Sequence, residues 1–129
     1  MQRRGEPMNI KITSILKNLA DKSIIKEEAI AKKEKNKITY KTKEFNYILK
    51  IISPKELILN RKSADINCTM YFKLNKTTSS DYTINNEYNL DINIKTTLLE
   101  ITEKQIKIHY TVIEAKTNYE YQIEMSEIK

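Results

Sequence analysis

Apolar side chains recur at every second position along most of this chain, and that spacing limits what it can fold into. In residues 66–74 the apolar positions are the even-numbered ones, and polar residues or Tyr71 stand between them. The runs 88–94, 106–112 and 119–125 repeat the alternation. A period of two is typical of a β-strand with one buried face, whereas a helix repeats every 3.6 residues. The sequence therefore predicts a mostly β protein.

Short turn signals separate these runs, and they predict how the strands connect. They fall at 20–22, 34–37, 53–56, 62–65, 102–104 and 116–118. Pro54 suits the second position of a type I turn, where its fixed φ is already correct. The longest loop candidate is 75–80. Connections this short join antiparallel neighbours, because parallel pairing requires a crossover of about a dozen residues or more.

One segment, Ser23–Lys35, does not follow the strand pattern. It is rich in residues that favour helices, and propensity alone favours a helix slightly. As a strand it would place Ile25, Glu27, Ala29 and Ala31 on one face, which is a poor apolar face. Both interpretations remain open at the level of propensity.

The chain has 129 residues, enough for one domain. We expect residues 1–8 to be a flexible basic extension and residues 9–129 to form the domain. About eight to ten strands, each with one apolar face, must hide those faces from water. A closed antiparallel barrel does so and also removes exposed strand edges, and a two-sheet sandwich is the competing solution.

Several classes of function have little support in the composition. The single glycine, Gly5, rules out Gly-rich phosphate-binding loops. Cys68 is the only cysteine; it excludes an intramolecular disulfide or a multi-cysteine zinc site, and its phase places it in the core. His109 alternates with apolar neighbours and is expected on the outer face. We therefore expect no enzyme activity, no metal and no cofactor. The lone thiol and the lack of a secretory signal favour a cytoplasmic protein without a membrane span.

The charge is unevenly distributed along the chain. The formal net charge is +6; residues 1–62 carry 16 basic and 7 acidic side chains, whereas residues 63–129 carry 7 and 10. These counts give +9 and −3. A basic half of this kind predicts, as one alternative, binding of nucleic acid or another polyanion through the N-terminal half.

A second set of residues favours a small ligand inside the barrel. Arg61 is in phase with Leu57 and Leu59, so it either points inward or lies at the rim where the strand ends. Tyrosines fall on the inward phase of most strands: Tyr40, Tyr47, Tyr82, Tyr88, Tyr110, Tyr119 and Tyr121. Buried tyrosine hydroxyls need partners, so these residues either fill the barrel ends or face a cavity.

The strand pattern from Lys55 to Ile101, continued by KQIKIHYTVI and YEYQIEM, resembles that of the YwiB-like family of small bacterial proteins. The resemblance spans roughly residues 9–128 and implies a calycin-like, lipocalin-type antiparallel up-and-down β-barrel of uncharacterised function. In it Arg61 matches the arginine of an Arg-x-Gly turn and Tyr82 matches a tyrosine that opens the next strand. It also implies that Ser23–Lys33 is a strand.

This chain departs from the family pattern at Ser63 and Asn89, which replace usual glycines, and at Tyr71-Phe72, which keeps only the aromatic part of a Gln-Arg-Phe stretch. The combined expectation is a non-enzymatic binding module for a small, partly apolar or anionic ligand in the barrel interior. Arg61 would hold an anionic head group. The walls would be lined by Tyr82, Tyr88, Tyr110 and Tyr121. The oligomeric state is left open.

Overall fold

The computed structural model describes residues 8–128, which form ten β-strands. They are β1 (Met8–Asn18), β2 (Ile24–Glu34), β3 (Lys37–Lys41), β4 (Asn46–Ser53), β5 (Glu56–Lys62), β6 (Ile66–Lys73), β7 (Thr77–Ile84), β8 (Tyr88–Ile101), β9 (Gln105–Val112) and β10 (Thr117–Glu127). Within this range no helix is long and apolar enough to cross a membrane. The prediction of an all-β protein is confirmed.

The strands follow one another around a closed barrel in chain order, and every neighbouring pair is antiparallel. The first and last strands close it, with Ile10 opposite Glu127 at one end of the pairing and Asn18 opposite Tyr119 at the other. Closure gives every strand a neighbour on both sides and so limits exposed strand edges, although residues 24–30 of β2 are paired only with β1. The barrel, and not the two-sheet sandwich, is therefore how this chain buries its apolar faces.

The segment with helix propensity is the strand β2. It is paired on one side with β1, where Ile12 faces Ala29, and on the other with β3, where Ala31 faces Tyr40. Ala31 is fully buried, and its small side chain leaves room for the neighbouring tyrosine ring. Pairing with β1 along nearly the whole strand, and with β3 over Ala31–Glu34, outweighs an intrinsic preference that is only a few tenths of a kcal/mol per residue.

The prediction of a long loop over 75–80 is wrong, because β7 begins at Thr77. Residues 77–84 pair with β8, and Ser80 lies opposite Ile92. Threonine and serine are compatible with a strand when one face is exposed, and Ser80 is buried on the inner face. The connection between β6 and β7 is therefore three residues long, with Asn75 in the left-handed backbone region at φ 62°.

The two ends of the barrel differ in how they are filled. We call the end with the turns 35–36, 54–55, 74–76 and 102–104 the lower end, and the opposite end the upper end. The lower half is packed with aliphatic and aromatic side chains. Its buried members include Ile10, Ile12, Ile38, Leu49, Leu57, Phe72, Leu99, Ile106, Ile108, Ile123 and Met125. This half is a filled core.

A bulge in β8 changes which side chains face inward. The register between β8 and β9 shifts between Thr96 and Leu98. Before the shift the inward residues are even-numbered and end at Thr96; after it Leu99 is the buried one. One inserted residue reverses the phase of a strand, so the long β8 keeps apolar side chains inside along its length.

Residues 1–7 and 129 lie outside the described part of the chain, so the predicted flexible extension over 1–8 falls almost entirely outside it. Met8, the last residue of that predicted extension, begins β1. The rest of the predicted domain, up to residue 128, forms the barrel.

Candidate functional site

The upper half of the barrel interior contains a cavity of about 370 Å³. Its deep part is formed by buried residues, among them Ser14, Ser80 and Ile94. It reaches the upper end of the barrel, where Ser23 and Ile25 are exposed. Small side chains at inward positions leave the space that isoleucine and leucine fill in the lower half. A volume of this size is in the range of pockets that hold small molecules.

The cavity lining combines polar and apolar side chains. Its polar groups include Ser14, Glu27, Tyr47, Arg61 and Tyr121, on β1, β2, β4, β5 and β10. Its apolar side chains include Leu59, Met70, Ile92, Ile94 and Val112, on β5, β6, β8 and β9. A mixed lining of this kind suits a molecule with a polar head and an apolar body.

Arg61 is partly buried on the inner face of β5 and lines the cavity. Its Cα partners are Tyr47 on β4 and Cys68 on β6. The guanidinium carbon lies 4.7 Å from the centre of the Phe45 ring, a cation–π contact that orients the group. Within residues 8–128 it forms no ion pair and no side-chain hydrogen bond. Its hydrogen-bond donors are therefore available to a ligand.

Four buried tyrosines form a layer between the filled core and the cavity: Tyr40, Tyr47, Tyr110 and Tyr121. Tyr40 and Tyr47 stack with ring centres 4.5 Å apart, and the hydroxyls of Tyr40 and Tyr121 lie 3.3 Å from each other. Tyr110 stacks on Tyr119 at 5.2 Å. Burial raises the pKa of the Tyr40, Tyr47, Tyr110 and Tyr121 hydroxyls, so these groups stay neutral donors at physiological pH.

The hydroxyl of Tyr110 belongs to a buried residue that lines the cavity. The residue is only 6% exposed. Its ring packs edge-on against Phe72 at 5.0 Å, which fixes its position. No hydrogen bond joins its hydroxyl to another residue in the range 8–128. A buried donor aimed into a cavity is a group that a bound molecule can satisfy.

A carboxylate also faces this cavity. Glu27, on β2, lines it and accepts a hydrogen bond of 3.1 Å from the Tyr47 hydroxyl. The sequence places Glu27 inward only if its segment is a strand, so Glu27 is not among the site residues selected from it. As a strand residue, Glu27 alternates in phase with Ile25 and Ala29, and this pattern indicates an inward position; the helix propensity of the segment obscures it.

The cysteine and histidine lie where their phase predicts. Cys68 is 5% exposed, and it lines the cavity next to Arg61. Burial raises the pKa of its thiol, so the less reactive protonated form dominates at neutral pH. His109 lies on the outer face, with Nε2 3.9 Å from a carboxylate oxygen of Glu120. In the described range, no three His, Cys, Asp or Glu side chains converge as a possible metal site.

Four of the five residues selected from the sequence line the cavity together: Arg61, Tyr82, Tyr110 and Tyr121. Tyr88 does not. It is 63% exposed at the first position of β8, beyond the end of the cavity, although its phase is inward. The alternation along a strand determines which face a side chain lies on, whereas its position along the barrel axis determines whether that side chain is buried. Tyr82 lies within β7 and does not open it.

A second depression of about 570 Å³ lies at the lower end, lined by Met8, Lys33, Lys104 and Glu127 among others. It has neither an arginine nor a tyrosine in its lining. No site is assigned to it, because it borders Met8, where the described part of the chain begins.

No family model and no curated protein sequence matches this chain. Its architecture matches that of a solved structure, the ywiB protein from Bacillus subtilis, with a TM-score of 0.69. The two chains are 15% identical, and the match covers 98% of this chain and 95% of that one. The resemblance seen in the strand pattern is therefore confirmed as a resemblance of fold. This chain shares with ywiB the architecture of a β-barrel along nearly its whole length.

Proposed function

We propose that this protein is a binding module that holds a small amphipathic molecule, with an anionic group, in the upper half of the barrel. The observation that carries the proposal is Arg61, a cation with free donors that faces a cavity also lined by apolar side chains. A guanidinium partly removed from water gains from an acceptor, and a carboxylate or phosphate can bind it through two parallel hydrogen bonds.

The apolar side chains of the lining supply the second half of the recognition. Leu59, Met70 and Ile92 present hydrocarbon to the cavity, and each methylene buried there contributes about 0.8 kcal/mol. The cavity has room for about a dozen water-sized groups, at about 30 Å³ each. Decanoate has about that many non-hydrogen atoms and is a suitable probe.

Binding of decanoate, measured by displacement of a fluorescent fatty-acid analogue, tests the proposal. We expect Arg61→Gln to weaken decanoate binding about 10- to 100-fold, because a hydrogen bond to a charged group contributes about 1.5–3 kcal/mol. Lys62→Gln is the matched control: it removes the same charge one residue away, from an exposed outward position, and should change affinity less than about threefold.

Cys68 gives an independent readout, because it is the only cysteine and it lines the cavity. Bound decanoate should slow its reaction with an uncharged maleimide. Native mass spectrometry of the protein with decanoate should show a one-to-one complex. The proposal fails if decanoate at millimolar concentration neither forms this complex nor protects Cys68, or if the two variants lose affinity equally.

A second candidate is polyanion binding by the outer surface of β1–β5, and the topology favours it in one respect. Because the strands follow chain order around the barrel, the basic half of the sequence is one continuous wall. Eight exposed lysines point outward from it: Lys11, Lys17, Lys26, Lys32, Lys37, Lys41, Lys50 and Lys62. Most aromatic rings face inward instead, so this wall has little to stack on bases.

Fluorescence anisotropy of a labelled single-stranded RNA separates this candidate from the first. Electrostatic binding should be measurable at low salt and fall steeply as salt rises, since counterions are released on binding. Absence of binding at low ionic strength contradicts the candidate. RNA binding that decanoate does not displace would place the two ligands on different surfaces.

A further inference from the structure

Two opposite charges face the same cavity from different parts of its wall. Glu27 lies on β2 and Arg61 on β5. Strands β3 and β4 lie between β2 and β5 in the barrel order, and β3 is paired with β2 only over Ala31–Glu34, below Glu27. The two side chains do not form an ion pair with each other.

Each charged side chain instead contacts a different aromatic residue. The Tyr47 hydroxyl donates to one oxygen of Glu27, and the Phe45 ring supports the guanidinium of Arg61. Both charges influence the buried Tyr121 hydroxyl in opposite directions: Glu27 raises its pKa and Arg61 lowers it, with burial as the largest cause of the net increase. They therefore face one chamber and leave it formally neutral.

This arrangement discriminates between kinds of amphipathic ligand. A molecule with a single negative charge is attracted by Arg61 and repelled by Glu27, and both effects are strengthened where water is excluded. An ammonium group on the same molecule would turn the repulsion into attraction, because the second carboxylate oxygen of Glu27 has no hydrogen-bond donor within residues 8–128.

From this geometry we infer that the cavity selects zwitterionic amphipathic molecules, with an anionic group at Arg61 and an ammonium group at Glu27. This rests on the proposed function, and it narrows the ligand class to amino acids or amines with an acidic group on an apolar chain. Tyr110 provides a further donor to the anionic group or to a polar substituent near it.

Four ten-carbon probes test the inference on the intact protein: decanoate, decylamine, 2-aminodecanoate and 10-aminodecanoate. The wild-type protein should bind at least one aminodecanoate about tenfold more tightly than decanoate or decylamine. Which isomer binds better reports the spacing of the two charged groups, and either isomer supports the inference. This ranking needs no variant, so it does not depend on how a substitution affects folding.

We expect Glu27→Gln to change the affinities for decanoate and for the aminodecanoates in opposite directions. It should strengthen decanoate binding about threefold, since the repulsion is removed, and weaken aminodecanoate binding about tenfold. Glu28→Gln is the matched control, because Glu28 is exposed on the outer face of the same strand. It should alter neither affinity.

The inference is overturned if decanoate binds the wild-type protein as tightly as both aminodecanoates, or if Glu27→Gln shifts all probes in the same direction. Those outcomes leave the proposed function intact, because decanoate still binds and depends on Arg61. If none of the four probes binds, the proposed function itself fails, and the inference fails with it.

Discussion

At the scale of single residues, the polar side chains of the interior differ in whether they have hydrogen-bond partners. Ser80 accepts a hydrogen bond from the backbone N–H of Tyr71 at 3.1 Å. Arg61 and Tyr110 face the cavity, where a ligand can satisfy them. Thr96 differs from all of these, because its Oγ1 is buried and has no hydrogen-bond partner among the described residues. A hydroxyl in that position lowers stability without serving the cavity.

We expect Thr96→Val to raise the free energy of unfolding by about 1 kcal/mol, because valine has nearly the same shape and no hydroxyl to leave unsatisfied. Urea denaturation checks it. Thr97→Val, at the exposed neighbouring position whose hydroxyl donates to the His109 carbonyl, should have no stabilising effect. A loss of stability in Thr96→Val would show that the hydroxyl has a partner in solution.

At the scale of the elements, the hairpin turns are built without glycine. The only glycine is Gly5, yet six of the residues in the range 8–128 have positive φ, and each lies in a turn between strands: Lys22, Lys35, Asn75, Asn85, Asn86 and Lys116. Asparagine tolerates this region better than most residues, because its short polar side chain can hydrogen-bond to the local backbone, whereas lysine has the crowded Cβ without that compensation. The three lysine turns are therefore the strained ones.

Lys35→Gly, in the turn between β2 and β3, should raise the free energy of unfolding by about 0.5–1 kcal/mol. The left-handed backbone costs a residue with a Cβ about 1–2 kcal/mol, and the greater freedom of glycine in the unfolded chain offsets part of the gain. Thermal and urea unfolding measure the change. Asn36→Gly, one residue later and without positive φ, should be neutral or destabilising; equal stabilisation by both would contradict the explanation.

At the scale of the whole molecule, closure of the barrel collects tyrosines from four strands, β3, β4, β9 and β10, into one buried layer. Burial raises the pKa of Tyr40, Tyr47, Tyr110 and Tyr121 above the unfolded value of about 10. Above that pH the unfolded chain releases these protons while the folded chain keeps them. The stability contributed by this layer is thus fully present below about pH 10, and it is lost as the pH rises towards the pKa values of these tyrosines in the folded state.

The free energy of unfolding should therefore fall above about pH 10, by up to about 1.4 kcal/mol per pH unit for each of these tyrosines. Urea denaturation at a series of pH values measures the slope, and tyrosinate absorbance should show these residues ionising together with unfolding. Tyr121→Phe should reduce the slope by about a quarter. Ionisation of all the tyrosines before any loss of structure would contradict the expectation.

Much of the fold was predictable because alternation depends only on local residue order. The inward phase of β6, β9 and β10, the antiparallel connections and the burial of Cys68 all follow from it. Local order could not predict β2 or all of β7, whose strand state depends on hydrogen bonds to the adjoining strands and not on their own residue preferences. Nor could it place Tyr88, because its burial depends on how far β8 extends beyond the cavity.

For this protein, the sequence by itself determined a β architecture, the side of each strand that faces inward, and an inward position for Arg61 if β5 extended that far. Only the tertiary structure decided that the strands close into a barrel, that one half is filled and the other hollow, and that Glu27 joins Arg61 at the cavity. The physical reason is that phase is a local property, whereas a cavity and the set of groups that line it arise where side chains from different strands meet inside the barrel.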